Sequence, residues 1–158
     1  MDRRSLIKSL TAASALALLP AEAFAAWERV SKGQTPADGL TPEQLAKIGS
    51  IADIILPRTD TPSATDVGVP AFVNVIVSEN YSDDERGAFV LGLDAIDLNN
   101  LGAIEAAADR RAEPARTYWR LKGLIIHGYF TSERVMKDVL HTEVMPGKFE
   151  GNAAMPHA

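Results

Sequence analysis

Apolar residues recur along this chain at helical spacing. Four of them, three or four positions apart, share one face of a predicted helix: Leu45, Ile48, Ala52 and Ile55. Thr41 and Gln44 predict where this helix begins, because together they form a capping box, and Pro42 between them suits a first turn. Pro57 predicts where it ends, since proline disfavours helical geometry in the residue before it.

The rest of the pattern also predicts helices. They are expected at residues 71–79 after Pro70, from a capping box of Ser82 and Glu85 to near residues 99–102, at 103–112, from a start at Pro114 through residues 117–130, and from Thr131 through Leu140. Residues 124–126 alone are also compatible with a short strand. We predict an all-α fold: one small domain of five to seven short helices with an extended C-terminal tail that begins at Thr142.

Two segments of this domain differ from ordinary amphipathic helices. Residues 57–70 hold three prolines, three threonines and two aspartates, a composition typical of a loop with little conformational freedom. The helix over residues 117–130 is apolar nearly all round from Leu124 onward. Such a helix is either buried in the core or packed against another protein.

The N-terminus has the features of an export signal. It reads Met-Asp-Arg-Arg-Ser-Leu-Ile-Lys, followed by a modest apolar run over residues 9–19 and an A-x-A cleavage site at Ala23 and Ala25. That run is too short to span a bilayer. The residues that carry the signal, Arg3, Arg4, Leu6 and Lys8, resemble the twin-arginine motif, whose pathway exports folded proteins. General secretion is the alternative route.

Cleavage after Ala25 would leave 133 residues in the periplasm, with a formal net charge of −6. Residues 26–40 show little periodicity and are predicted to form a linker or arm. Trp27 in this arm is either a stray apolar residue or an anchor for a partner. The helical domain is expected over residues 41–152, and residues 153–158 form a flexible tail.

Composition excludes several kinds of chemistry. The chain of 158 residues has no cysteine, which excludes disulfides, thiolate metal sites, covalent haem and a cysteine nucleophile. Its formal net charge of −5 argues against binding to nucleic acid. Its 11 glycines form neither a dinucleotide-binding motif nor a P-loop. We predict no metal, cofactor or catalytic residue in this chain.

The polar residues offer weak alternatives. The three histidines, His127, His141 and His157, lack the spacing of a metal site. Ser132 has no nucleophile elbow around it and is expected to begin a helix. A stand-alone enzyme or ligand binder would have to use His127, Tyr129 and Glu133 in one pocket.

Two separated motifs resemble the gluconate 2-dehydrogenase subunit 3 family. The first is Ile-Ala-Asp-Ile-Ile-Leu-Pro-Arg-Thr-Asp-Thr-Pro-Ser-Ala over residues 51–64, continued by Val-Gly-Val-Pro-Ala-Phe-Val over residues 67–73. The second is Leu-Lys-Gly-Leu-Ile-Ile-His-Gly-Tyr-Phe-Thr-Ser-Glu over residues 121–133, with a closing Met-Pro-Gly-Lys-Phe-Glu-Gly over 145–151. Many members of that family have a cysteine after the closing motif, where this chain has Asn152.

The resemblance implies a small, non-catalytic subunit of a sugar or sugar-acid dehydrogenase. Its partner would be a large FAD-containing subunit of the glucose–methanol–choline type, which this chain would escort through the twin-arginine translocase. A membrane-associated multihaem cytochrome c would complete the complex. A periplasmic interaction protein with another partner is the alternative.

Under this interpretation two segments are expected to contact the partner. The loop contributes Pro57, Asp60, Thr61 and Pro62. The apolar helix contributes Tyr118, Trp119, His127, Tyr129 and Phe130. Packing inside the domain is the competing interpretation for each of these residues.

Overall fold

The helices begin where the capping residues predict. The computed structural model describes residues 20–107 and 109–141. Thr41 caps α2 (Pro42–Ile55) and Ser82 caps α4 (Asp83–Ala95), each through a complete capping box. Between them, α3 (Val69–Asn80) follows Gly68, whose φ of +85° lies in the left-handed region that favours glycine. Both predicted capping boxes are confirmed.

The remaining elements complete an all-helical fold. They are α1 (Pro20–Ser31), a 3-10 turn (Leu98–Asn100), α5 (Leu101–Glu105), α6 (Ala115–Thr131) and a π-helical turn (Val135–Val139). The described residues contain no strand, so residues 124–126 are helical and the short-strand alternative is wrong. The prediction of one small all-α domain is confirmed. The predicted tail from Thr142 lies outside the described residues.

Two central helices organise the core. Helix α3 packs against α1, α2 and α6, and α6 also packs against α4 and α5. The fully buried side chains between them include Ile48, Ile51, Phe72, Val73, Ile76, Phe89, Leu93, Leu121 and Ile125. The segment before α2 is tied to this core because the Leu40 backbone N–H donates to Asn74 Oδ1 at 2.8 Å.

The N-terminal part of the chain differs from the prediction. Residues 26–31 were expected in an unpatterned arm, but they continue α1. Ala23 and Ala26 are buried in the core, and Trp27 stacks on Phe72 with ring centroids 5.1 Å apart. Trp27 Nε1 also donates to Thr131 Oγ1 at 3.1 Å, so this tryptophan anchors α1 to its own domain.

Two predicted boundaries around α5 are also wrong. Helix α4 ends at Ala95 rather than near residues 99–102, because the Asp97 carboxylate accepts from the Asn99 backbone N–H and starts the 3-10 turn. The alanine-rich segment 103–112 is helical only to Glu105, within α5. Alanine favours a helix, but beyond Ile104 this segment has no apolar stripe to bury, so tertiary packing does not extend it.

Candidate functional site

Helix α6 carries most of the predicted contact residues and faces two environments. Its inward side chains are buried against α3 and α4: Tyr118, Leu121, Leu124, Ile125 and Tyr129. Gly128 allows the closest approach, since a Cβ there would lie 2.6 Å from Phe72 Cδ1. The inward face therefore belongs to the core.

The outward face of α6 is also apolar. Trp119, Gly123, Ile126 and Phe130 follow one another at intervals of three or four residues and therefore lie on one side of the helix. We call these four residues the outer stripe. Ile126 is 37% exposed and Phe130 is 46% exposed, whereas Trp119 and Gly123 are half-buried. Within the described part of the chain, Ile126 and Phe130 therefore expose apolar surface on this side of α6.

Positive charges gather at the Trp119 end of the outer stripe. The Arg110 guanidinium lies 3.9 Å from the centroid of the Trp119 ring, and Lys122 Nζ lies 5.1 Å from it. Both distances fit cation–π contacts. Lys122 also pairs with Glu105, and the hydrogen bond from Lys122 is the main cause that lowers the pKa of this carboxyl.

Two ring nitrogens on α6 are buried without a partner. Trp119 Nε1 and His127 Nε2 make no hydrogen bond to any described residue. The His127 ring lies 6.4 Å from the Phe72 ring, and desolvation lowers the pKa of His127. A buried polar atom without a partner is unfavourable, and the described residues provide no hydrogen-bond partner for either nitrogen.

The loop over residues 57–68 is braced by short side chains. Asp53 accepts from Thr65 twice, at 3.0 Å from the backbone N–H and at 2.6 Å from the hydroxyl. Asp66 accepts from the Ser63 backbone N–H at 2.8 Å, which is the main cause that lowers the pKa of Asp66, and it pairs with Arg58. The predicted rigid loop therefore has a specific set of internal hydrogen bonds.

One hydrogen bond joins this loop to α6. The Tyr129 hydroxyl donates to the Pro62 carbonyl at 2.8 Å, and the Phe130 ring lies edge-on to Tyr129 at 5.3 Å. Pro57 and Asp60 are exposed, and Thr61 is half-buried beside Pro62. The structure therefore joins Pro62 of the loop to the end of α6 that carries Phe130.

The nine predicted contact residues separate into two groups. Tyr118 and Tyr129 are buried, at 2% and 4% exposure, and belong to internal packing. Burial is the main cause that raises the pKa of Tyr118 to about 12, helped by the Glu105 carboxylate that accepts from its hydroxyl. The other seven reach the surface wholly or in part: Pro57, Asp60, Thr61, Pro62, Trp119, His127 and Phe130.

Sequence reasoning missed three surface residues. Ile126 belongs to the outer stripe, while Arg110 and Lys122 flank the Trp119 ring. The spacing of Trp119, Gly123, Ile126 and Phe130 was present in the sequence. It was hidden because apolar residues occupy the opposite face of the same helix as well.

The groove beside Glu133 does not include the other two residues of the stand-alone enzyme alternative. This groove of about 430 Å³ is lined by Glu133 together with Trp27, Val30 and Lys137, but by neither His127 nor Tyr129. Tyr129 is engaged with Pro62, and Glu133 pairs with Lys137.

The other polar residues have structural partners. Ser132 Oγ donates to the Tyr129 carbonyl at 2.7 Å, so it stabilises the turn after α6.

Within residues 20–107 and 109–141, no group of three or more His, Cys, Asp or Glu side chains is placed to hold a metal ion. His157 lies outside those residues. Among the helices described, none is both long and apolar enough to cross a bilayer.

Comparison with known proteins agrees with the first of the two sequence motifs, over residues 51–73. Residues 42–101 match the family described as gluconate 2-dehydrogenase subunit 3, which confirms the predicted resemblance over α2, α3, α4 and the 57–68 loop. No curated protein and no solved structure matches the chain. The chain is thus similar, over these 60 residues, to an accessory subunit of a gluconate dehydrogenase.

Proposed function

We propose that this chain is the non-catalytic small subunit of a periplasmic FAD-dependent dehydrogenase. It would bind a large subunit of the glucose–methanol–choline type, escort it through twin-arginine export and stabilise it afterwards. The match of residues 42–101 to a dehydrogenase subunit family carries this proposal. The substrate would be a sugar or a sugar acid, as the family description suggests.

The export signal supports the escort role. Arg3, Arg4, Leu6 and Lys8 stand in the positions of a twin-arginine motif ahead of the domain. The twin-arginine route exports proteins that have already folded, so a chain bound to this domain in the cytoplasm would cross the membrane with it. FAD would be carried by that large subunit, and haem c by a third, membrane-associated subunit.

Co-expression tests the assembly. The full chain, tagged at its C-terminus, is expressed in its native host, and the material it retains is examined by absorbance at flavin wavelengths and by mass spectrometry. We expect a flavin-containing protein in a fixed ratio to this chain. Recovery of the chain as a monomer without flavin absorbance contradicts the proposal.

Export is tested separately. Replacement of both Arg3 and Arg4 by lysine keeps the charge of the signal but removes the twin-arginine pair. We expect this chain and the flavoprotein to stay together in the cytoplasm, measured by fractionation and immunoblotting. A flavoprotein that still reaches the periplasm in this variant has its own route, and the escort role is then wrong.

A further inference from the structure

We infer that the outer stripe of α6 is the surface that docks the large dehydrogenase subunit. The matching surface on that partner would be an apolar patch bordered by carboxylates at one end. This inference rests on the proposed function and adds to it the residues of contact and the chemistry of the partner.

Ile126 and Phe130 provide the exposed apolar part of the outer stripe. Both are on a long central helix whose opposite face is fixed in the core, so their positions are rigid. A rigid apolar pair that is already partly ordered loses little side-chain entropy when a partner covers it. Burial of such anchors contributes much of the binding free energy at protein interfaces.

The Trp119 end of the outer stripe also differs in charge from the rest of the chain. Residues 105–122, which include the Glu105 partner of Lys122, hold five basic side chains and three acidic ones, a net charge of +2, within a chain whose formal net charge is −5. The rest of the chain is therefore at −7. Such a local reversal of sign at one end of an apolar surface favours a partner with carboxylates opposite that end.

Trp119 Nε1 has no acceptor among the described residues. This indole N–H is buried, and the Arg110 guanidinium lies against the face of the same ring. A partner carboxylate that draws Arg110 off the ring would uncover this N–H and accept a hydrogen bond from it. The same partner group would then satisfy both the charge and the missing hydrogen bond, which a purely apolar partner would not do.

Charge insertion into the outer stripe tests the apolar contact. Ile126→Glu combined with Phe130→Glu places two carboxylates on the stripe without opening the core, because both residues are exposed. We expect the double variant to bind the flavoprotein with a Kd at least tenfold higher than that of the wild-type chain. Competition with labelled wild-type chain measures this Kd. The matched control is Leu91→Glu on α4, where the leucine is 73% exposed, and it is expected to bind as the wild type does.

Neutralisation of one cation tests the charge. Arg110→Gln is expected to raise the Kd about three- to tenfold in 50 mM NaCl and to flatten the dependence of the Kd on salt. Lys32→Gln, in the turn after α1, removes an exposed cation far from Arg110 in the sequence, and it is expected to change neither the Kd nor its dependence on salt. Circular dichroism of each variant checks that the helices are intact.

The outcomes separate the two proposals. If the wild-type chain retains no flavoprotein, the proposed function fails. If it does, and the Ile126 and Phe130 double variant binds it with an unchanged Kd, the docking surface is wrong while the function stands. If sedimentation shows that the wild-type chain self-associates and that the double variant does not, that result would assign the outer stripe to a second copy of the chain and overturn the inference.

Discussion

At the scale of single residues, two glycines of α4 have opposite surroundings. A Cβ at Gly92 would lie 2.7 Å from Thr117 Cβ on α6, whereas a Cβ at Gly87 would have no neighbour within 4 Å. Gly87→Ala is expected to raise the free energy of unfolding by up to about 1 kcal/mol, because alanine favours a helix. Gly92→Ala is expected to lower it by about 1–2 kcal/mol, since the clash exceeds that gain. Urea denaturation measures both, and equal effects would contradict the close approach of α4 and α6.

The bond from Tyr129 to Pro62 is predicted to hold the 57–68 loop against α6. Tyr129→Phe removes only the hydroxyl and is expected to lower the free energy of unfolding by about 1 kcal/mol. It should also speed tryptic cleavage after the exposed Arg58 in the loop. Tyr118→Phe, which loses a buried hydroxyl bonded to Glu105 instead, serves as the control. It should leave cleavage at Arg58 unchanged, and a similar increase in both variants would assign the effect to global stability.

At the scale of helices, the sequence predicts a helix start correctly where the capping residues lie close together in the chain. The boxes of Thr41 with Gln44 and of Ser82 with Glu85 use side chains three residues apart, so no distant contact is needed to predict them. Helix α5 shows the limit of such reasoning. Its alanine-rich continuation has helix propensity, but whether a helix extends depends on what its face can bury.

Helix α1 was missed for a different reason. Ala23, Ala26, Trp27 and Val30 have helical spacing, but Ala23 and Ala25 also match a signal-cleavage site. Small residues serve both purposes, because they fit a peptidase and also allow close packing of a helix. The sequence alone therefore does not separate a leader from the first helix of the core.

The packing of α1 predicts that its first turns stabilise the domain. We compare a chain that begins at Ala26 with one that begins at Pro20. The free energy of unfolding of the shorter chain is expected to be about 1–2 kcal/mol lower, because that chain lacks the buried Ala23. Urea denaturation of the two chains measures the difference. Within the longer chain, Ala23→Asp should be strongly destabilising and Ala25→Asp, at an exposed position, nearly neutral. Equal stability of the two chains would show that residues 20–25 add nothing to the core.

At the scale of the whole molecule, the sequence predicted which helix carries the candidate surface but not which of its sides. Apolar residues surround α6, and only the packing of α3 and α4 decides that Tyr118 and Tyr129 point inward while Ile126 and Phe130 remain outside. Arg110 reaches Trp119 from outside that helix, across nine residues of chain. Neither fact follows from periodicity within one helix.

As the pH is lowered from 8, the free energy of unfolding of the domain is predicted to decrease in two steps. Desolvation lowers the pKa of His127 below its ordinary value of 6.5, so the unfolded chain binds a proton there before the folded domain does. Stability should therefore begin to decrease as the pH falls below 6.5. A second decrease should follow below pH 4.5, where carboxyls with a lowered pKa become protonated in the unfolded chain first: Glu28, Glu43, Asp66, Glu85, Glu105 and Glu133.

One substitution separates the two steps. His127→Leu is expected to remove the decrease between pH 6.5 and 5 and to leave the acidic one, because the six carboxyls owe their low pKa to hydrogen bonds elsewhere in the domain. Thermal unfolding between about pH 2 and pH 8 measures both decreases, with His141→Gln as the control for an exposed histidine. A wild-type profile that is flat from pH 8 to 5 would mean that water reaches His127 in the folded domain.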